Sequence, residues 1–482
     1  MSDKSASPSD RLFGSRLVKA VQAALTDATG TWIVGGAVRD AALGQAVTDL
    51  DLAVAGDPGR VAKAVAAELG EHAFELSAEF GTWRVVARDG GWQVDATVLR
   101  GDGIDADLAA RDFTIGAVAV PLAGGEPIDP FGGLADLERG VLRVVGESSF
   151  EEDPLRLLRA ARLAAGLGLE IDPATVALAR AAASHAADPA GERQLAELRQ
   201  LLGGPKPLRG LALLDELGLT AVVLPELEAL RDVEQGPNHH LDVHGHTLAV
   251  LEHALEVEAD LDRFAGARAG EVAALLSEPL ADEISRGTAL RFGALFHDIG
   301  KPATRAERDG FVGFRGHDRV GAEIVGEICG RLRASRRLTQ HLRGLTLHHL
   351  RLGFLIPEAP LSPRRVHEYL RATEPVGVDV TLLTVADRLS ARGAGRLARP
   401  EMVEAHLALA RQMIAAALDW RRDGPPAPLL RGDELASALG IEQGPELGEL
   451  LSELEAAQYA GEVRDRAGAL KHARQVRSTP HG

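Results

Sequence analysis

The sequence predicts an α+β protein, with strands confined to its first third and helices making up the rest. Three observations carry this. Between residues 16 and 150, β-branched or alternating stretches (Thr31–Val34, Thr48–Leu52, Trp92–Leu99) are interleaved with alanine-rich helical ones. From Glu151 onward the alternation stops and helical patterning takes over. At 482 residues the chain is also too long for one hydrophobic core, so roughly two to four domains are expected.

Composition narrows the classes. Hydrophobic residues make up 45%, and no apolar run is long enough to span a bilayer, so no membrane partner is expected. No signal peptide precedes the polar, serine-rich residues 1–15, which read as a disordered lead-in. The single cysteine, Cys329, excludes internal disulfides and suits a reducing cytoplasm. A net charge of −17 argues against a surface coated by nucleic acid, while leaving room for a local arginine-lined groove.

The most informative stretch runs from Thr31 to Asp51. Thr31–Val34 favours a strand, and Gly35-Gly36 allows a sharp turn with close approach of a ligand. Ala37–Leu43 can form a helix whose first amides point at an anion, with Arg39 adding charge. In Thr48–Leu52 the spacing of Asp49 and Asp51 puts both carboxylates on one face of a strand, with Leu50 and Leu52 facing the core. Paired carboxylates repel unless a cation lies between them, and beside a phosphate site the hard cation Mg²⁺ fits. Alone, such a pair is common on surface strands; the upstream Gly-Gly turn makes it specific.

Pro58–Gly70 then reads as a helix, Phe80–Val86 as turn and strand, and Trp92–Leu99 as a strand carrying Asp95. Asp95 is a candidate third acid, since two-metal phosphoryl transfer typically uses about three. Arg111-Asp112 follows, and Phe131-Gly132-Gly133 reads as a loop. Past Glu151, Asp153 can cap a helix that Pro154 opens, and Arg156, Arg159 and Arg162 share one face of it. That face is either a solvated basic stripe or an acid and three guanidiniums offered to base edges and phosphates. Residues 165–235 hold apolar helices at Glu192–Leu202, Leu208–Leu217 and Ala221–Leu230.

A second constellation spans residues 238–395. His239, His240, His244 and His246 are followed by His297-Asp298, His317, His348-His349 and Asp387. An ordered H…HD…D series of imidazoles and carboxylates suits a divalent transition metal. Lys301, just after the doublet, is either a phosphate contact or a plain helix end. Residues 396–482 read as a helical tail broken at Pro425–Pro428 and frayed over Gln475–Gly482.

Together, GGAVRD (Gly35–Asp40), DLD (Asp49–Asp51), RDFT (Arg111–Thr114), EDPLR (Glu152–Arg156), ERQLAELRQLL (Glu192–Leu202) and HTL…HDIGKP (His246–Leu248, His297–Pro302) resemble the bacterial CCA-adding tRNA nucleotidyltransferases. That class II group also contains the bacterial poly(A) polymerases. The resemblance covers roughly residues 16–395. It implies a nucleotidyltransferase head with a small mixed sheet (16–150), a helical neck (151–235), a helical body carrying an HD domain (236–395) and a helical tail (396–482). It implies that Asp49 and Asp51 hold Mg²⁺, that Gly36 and Arg39 contact the triphosphate, and that Arg111 and Asp112 handle ribose and phosphates. Asp153 and Arg156 would read the base of CTP or ATP, with Arg159 and Arg162 lining the same pocket and tRNA as acceptor. The HD series resembles a phosphohydrolase, with His246, His297, Asp298 and Asp387 as ligands and His317 with His348 or His349 for a second ion.

Two positions depart from the family pattern: Ala110 where a first arginine is usual, and Gly116 where asparagine is usual. Either change would loosen ribose recognition. A poly(A) polymerase is the close rival, although the tail lacks a long basic extension. An HD nucleotide phosphohydrolase with a sensing head is a second rival, disfavoured by the intact acids. A purely structural RNA-binding protein is a third; it would not need paired acids, and no aromatic stacking platform is legible.

Overall fold

Order begins earlier than the composition suggests. The computed structural model describes residues 7–25, 27–77, 81–236, 238–308, 311–396 and 399–478. Ser7 and Asp10 cap each other's backbone N–H at the start of helix α1 (Pro8–Gly14). Leu12 on α1 is fully buried. The lead-in expected to be disordered over 1–15 is therefore helical from Pro8, because one leucine in a polar segment suffices to dock a capped turn on the core.

The chain divides into two compact units, Met1–Leu201 with Pro205–Val222, and Leu202–Gly204 with Val223–Gly482. In the first, α2 (Arg16–Ala24) leads to β1 (Thr31–Val34), α3 (Gly36–Ala42), β2 (Asp49–Val54), α4 (Pro58–Leu69), β3 (Ala73–Ser77), β4 (Thr82–Val86) and β5 (Gln93–Val98). After α5 (Ile104–Ala109), β6 (Ala119–Pro121) completes a mixed sheet of order β3-β4-β5-β2-β1-β6. Only β2 and β5 pair in parallel; the other four pairings are antiparallel. Phe80, expected in the turn before β4, lies outside the described residues.

Burial alternates from Asp49 to Leu52, as the sequence requires. Leu50 and Leu52 join Ile33, Val85, Val94 and Ala96 under α1, α2 and α4, with Leu12, Val18, Val61 and Val65 closing that core. Asp57 caps α4 and Gly70 ends it in a left-handed conformation. The opposite face is only half covered: Val34, Ala53 and Ala119 pack with Leu108 and Ala117, over β1, β2 and β6.

The expected loop at Phe131–Gly133 ends in a helix, α6 (Gly133–Arg139), because the Asp129 carboxylate accepts from the Gly133 and Leu134 amides at 2.7 and 2.9 Å. Then come β7 (Val141–Leu142), α7 (Ser149–Glu152), α8 (Leu155–Leu167) and β8 (Glu170–Ile171). β8 pairs in parallel with β7, so strand pairing outlasts Glu151. The unit continues with α9 (Pro173–Ala182), α10 (Gly191–Gly203) and α11 (Pro207–Glu216). The helix expected over Ala221–Leu230 is two short ones, Thr220–Val223 and Pro225–Glu228, since Pro225 lacks the amide to continue the first.

The second unit is built on helices Val243–Ala259, Arg286–Phe296, His317–Arg331, Arg336–His348, Gly377–Ser390 and Pro400–Asp423. The all-helical expectation fails at two small hairpins, Pro279–Ala281 with Ile284–Ser285 and Ala306–Arg308 with Phe311–Gly313. In the first, Asp282 and Glu283 both adopt positive φ, the two-residue turn that matches strand twist. Past the proline break, helices Gly432–Leu439, Pro445–Tyr459 and Arg466–Ser478 share a core of their own around Leu435, Leu450 and Ala469. Residues 475–478, expected to fray, are helical; 479–482 lie outside the described residues. Among the described residues no helix is long and apolar enough to cross a membrane.

Leu12→Ala should destabilise the first unit by about 2–4 kcal/mol, the cost of emptying a filled core site. Urea unfolding read by tryptophan fluorescence checks it; an unmoved transition would make the N-terminal helix an ornament.

Candidate active site and metal centre

Sheet register assembles the first site. In the parallel pair, Asp51 lies opposite Asp95 and Asp49 opposite Gln93. Val34, the last residue of β1, lies opposite Asp51, so the turn at Gly35 opens beside that carboxylate. Gly35 has φ 67°, and a Cβ there would lie 2.9 Å from Arg111 Nη1 and 3.4 Å from Asp51 Oδ2. The turn is thus pinched between a guanidinium and an acid, which only glycine permits. Gly36 opens α3, and Arg39 on α3 donates through Nε to Asp40 Oδ1 at 2.9 Å.

The carboxylates are crowded. Both residues stand on the exposed side of β2, but partial desolvation of the carboxylates, then Asp40 and Asp95, pushes Asp49 above the usual carboxylate range, and desolvation, then Asp95, pushes Asp51 up against the opposing pull of Arg111. Asp95 is gripped by Arg84, with Nε to Oδ1 at 2.7 Å and Nη2 to Oδ2 at 2.6 Å. Asp49 and Asp51 fit a divalent cation as counter-charge: two acids on one strand face, short of positive partners.

Arg111 is oriented by Asp107, whose Oδ2 accepts from Nε at 3.1 Å and Nη2 at 2.9 Å. Asp107 was not singled out in the sequence, although its i,i+4 spacing to Arg111 was a signal. Asp112 Oδ1 accepts its neighbour Phe113's amide, and Oδ2 accepts from Arg159 Nη1 at 3.2 Å. Thr114 Oγ1 donates to the buried Asp136, which also holds Arg139 and Arg143. A Cβ at Gly116 would stand 3.4 Å from Asp112 Oδ1, so the side chain missing there is one that would border Asp112.

Each arginine of the stripe on α8 is engaged by a partner, although Arg159 keeps 42% of its side chain exposed. Arg156 donates to Ala110 O and to Ser149 Oγ, both at 2.8 Å. Arg159 reaches Asp112 and Glu197, and Arg162 Nε donates to Glu197 Oε2 at 2.5 Å. Asp153 Oδ1 accepts from the Leu155 amide and Oδ2 from Arg193 at 2.8 Å. Glu197, buried, and Arg193, exposed, both on α10, were not assigned roles from sequence.

The second site lies in the other unit. Ligating atoms of His246, His297 and Asp387 cluster within 4.8 Å, as do those of Asp298, His317 and His349. The two groups touch: Asp298 Oδ2 is 3.1 Å from His297 Nε2 and 3.6 Å from His246 Nε2, while Oδ1 is 3.2 Å from His317 Nε2 and 3.7 Å from His349 Nε2. His246 Nε2 is 3.1 Å from Asp387 Oδ1. His297, His317 and His349 each engage a backbone carbonyl through Nδ1, at Ala294, Phe314 and Thr346, which leaves Nε2 facing the centre. His246 Nε2, His297 Nε2 and Asp298 Oδ2 are buried without a well-formed hydrogen bond. That donor set fits metal binding. His348 does not join it; its Nδ1 accepts from Arg351. Of the pair left open by the sequence, His349 faces the cluster.

Charge supports the same picture. Burial opposes ionisation of Asp298, yet His297 and Lys301 hold it well below the usual range. Burial, then His297, lowers His349 to about 4, keeping a ligand-competent neutral imidazole. Lys301 is buried, with Nζ 2.6 Å from both Asp298 Oδ2 and Gln235 Oε1. His239 stacks edge-on to His246, whereas His244 turns toward Arg231 and His240 is exposed.

A mixed sheet presenting paired acids at a glycine turn, joined to helices carrying an HD cluster, defines a class of nucleotide-transferring proteins, and comparison agrees. Residues 31–143 match the Poly A polymerase head domain, 168–230 the probable RNA- and SrmB-binding site of polymerase A, and 243–392 the HD domain. The chain is 36% identical over 442 residues to the A-adding tRNA nucleotidyltransferase of Deinococcus radiodurans, covering 90% of this chain and 92% of that one. It is also 36% identical to the CC-adding tRNA nucleotidyltransferase of Thermus thermophilus, covering 89% and 90%. Its fold matches a CCA-adding enzyme in an apo form with TM-score 0.61 at 21% identity, covering 96% and 94% of the two chains. The chain belongs to the tRNA nucleotidyltransferase family. Membership implies a divalent metal at the head.

Asp51→Asn removes one of the crowded charges. The metal-free variant should melt about 2–4 °C higher, and the added stability that Mg²⁺ gives the wild type should shrink. Calorimetry with EDTA and with Mg²⁺ checks both; identical Mg²⁺ increments would place Asp51 outside any metal site.

Proposed function

We propose that this chain extends the 3′ end of tRNA, taking CMP from CTP and AMP from ATP and releasing pyrophosphate, with no nucleic-acid template. The observation that carries the reading is the convergence of Asp51 and Arg111 on the Gly35 turn, in a chain so similar to tRNA nucleotidyltransferases. Asp49 and Asp51 would hold Mg²⁺, which when bound neutralises charge on the reacting phosphate and its flanking oxygens. Gly36, Arg39 and Arg111 receive the triphosphate, and Asp112 orients the ribose. Asp153 and Arg156 read the base edge, with Arg159 and Arg162 bracing the pocket through Glu197. The tRNA 3′-hydroxyl attacks the α-phosphate in line and pyrophosphate leaves on the opposite side. Asp95, beside Asp51, would orient the attacking hydroxyl. A tRNA substrate also supports a cytoplasmic setting.

The test offers tRNA lacking its terminal CCA, and tRNA lacking only the terminal A, with CTP, with ATP and with both. Ordered addition that stops after A is expected. The CTP-only and ATP-only reactions read which part of CCA this chain writes, since equally similar relatives are named for CC addition and for A addition. An unending A-tract would point to poly(A) synthesis. Asp49→Ala should cut transfer at least ~1000-fold with circular dichroism unchanged; near-normal transfer would remove Asp49 from the metal site.

A second reading is favoured by the two touching ligand groups around Asp298. The helical unit would act as a transition-metal phosphohydrolase that removes terminal phosphates or opens cyclic phosphates at tRNA ends. His246, His297, Asp298 and Asp387 would hold one ion, and His317 and His349 with Asp298 would hold a second. Elemental analysis of the His297→Ala/Asp298→Ala variant should show loss of transition metal; an undiminished content would dismiss the centre.

A further inference from the structure

The face of the sheet that carries the acids is closed on one side and open on the other. Toward β1 and β6 it is sealed by Val34, Ala53 and Ala119 under Leu108. Away from the Gly35 turn, cross-strand register continues the acid row outward as Asp51–Asp95–Arg84–Phe74. Paired residues project to one face, so these four side chains form a single line across β2, β5, β4 and β3. Its far end, Phe74, is 48% exposed on an edge strand. Beside the line, Thr82 and Thr97 face each other with hydroxyls 3.1 Å apart.

In-line transfer assigns the two directions. Resting on the head reading above, the triphosphate lies at the Gly35 turn, so pyrophosphate departs toward β1. The attacking hydroxyl, and the strand attached to it, must then approach from the opposite side, over β5, β4 and β3. What lies there has the chemistry of a single-stranded nucleic-acid track: a guanidinium for a phosphodiester, hydroxyls for a ribose, and an exposed aromatic face for a base. Arg84 is bound to Asp95 on one side and keeps 27% of its side chain exposed. An exposed phenylalanine on an edge strand is otherwise a liability, which a stacked base would cover.

We propose that this half-face docks the single-stranded 3′ end of the acceptor RNA, with Phe74 stacking on a base upstream of the attacking nucleotide and Arg84 beside its phosphate. Phe74 is a positioning residue for the acceptor, not for the incoming nucleotide.

The experiment measures steady-state KM for the tRNA end that the wild type extends, lacking CCA or lacking only the terminal A, and separately for the nucleotide it adds, in the full chain with Phe74→Ala, Phe74→Leu and Phe74→Trp. Because the side chain is half exposed, folding should survive all three, and circular dichroism checks this. Phe74→Ala should raise the KM for tRNA roughly ten-fold, within the range that loss of one stacked base gives. The KM for nucleotide should move less than about two-fold. Phe74→Trp should restore the tRNA KM and Phe74→Leu should not. An active Phe74→Ala enzyme with an unchanged tRNA KM overturns the proposal and leaves the head reading standing, as does a leucine variant that behaves like wild type. A wild-type protein that transfers no nucleotide to tRNA lacking CCA or to tRNA lacking only the terminal A removes the head reading, and this one with it.

Discussion

The parallel pairing of β2 with β5 is the constraint on which the head depends. It alone sets Asp51 level with Asp95, and with the β1 turn at one end it delivers two acids to the spot where Arg111 crosses Gly35. A sheet can hold such charges because its backbone ladder and its buried face, led by Leu50 and Leu52, resist the repulsion. The carboxylates then cannot relax apart. Partial desolvation and mutual repulsion raise the cost of charge, and Arg84, Arg39 and Arg111 offset only part of it. Fold stability is thereby traded for a fixed pair of crowded acids, a common bargain at functional positions.

Arginine–carboxylate contacts play the complementary part in the neck. Arg156 joins α8 to the carbonyl of Ala110, so the position that lacks the family's usual arginine still contributes through its backbone. Gly116 differs: its absent side chain borders Asp112, whose other oxygen is already taken by Arg159. The departure at 116 therefore bears on Asp112 more directly than the one at 110 bears on Arg111, which Asp107 orients regardless. Glu197 anchors both Arg159 and Arg162. The stripe acts less as a row of free guanidiniums than as a braced wall.

In the helical unit the same logic is applied to imidazoles. Helix geometry brings His297 Nδ1 onto the Ala294 carbonyl, and equivalent i−3 contacts orient His317 and His349. Backbone acceptors thus select the ring nitrogen that faces the centre, and the Asp298 oxygens lie between the His297 and His317 imidazoles. His348, one residue from His349, points elsewhere because adjacent helical residues project about 100° apart.

Much of this was legible in the chain itself. Period-two alternation in Thr48–Leu52 determined which side of the strand the acids occupy, and the Gly-Gly step after Thr31–Val34 determined where the turn falls, since both are local consequences of backbone geometry. The ordered H…HD…D series likewise announced a metal-type donor set. What only tertiary structure decided are the pairings between distant segments: Arg84 with Asp95, Asp107 behind Arg111, Glu197 under Arg159 and Arg162, His349 rather than His348, and Leu12 docked in a core the composition of its segment hides. Each depends on register between strands or on which helix face meets another, and neither is encoded by spacing within one element. Phe74 shows the difference: in sequence it is one aromatic among twelve phenylalanines, and only its place at the end of the acid row distinguishes it.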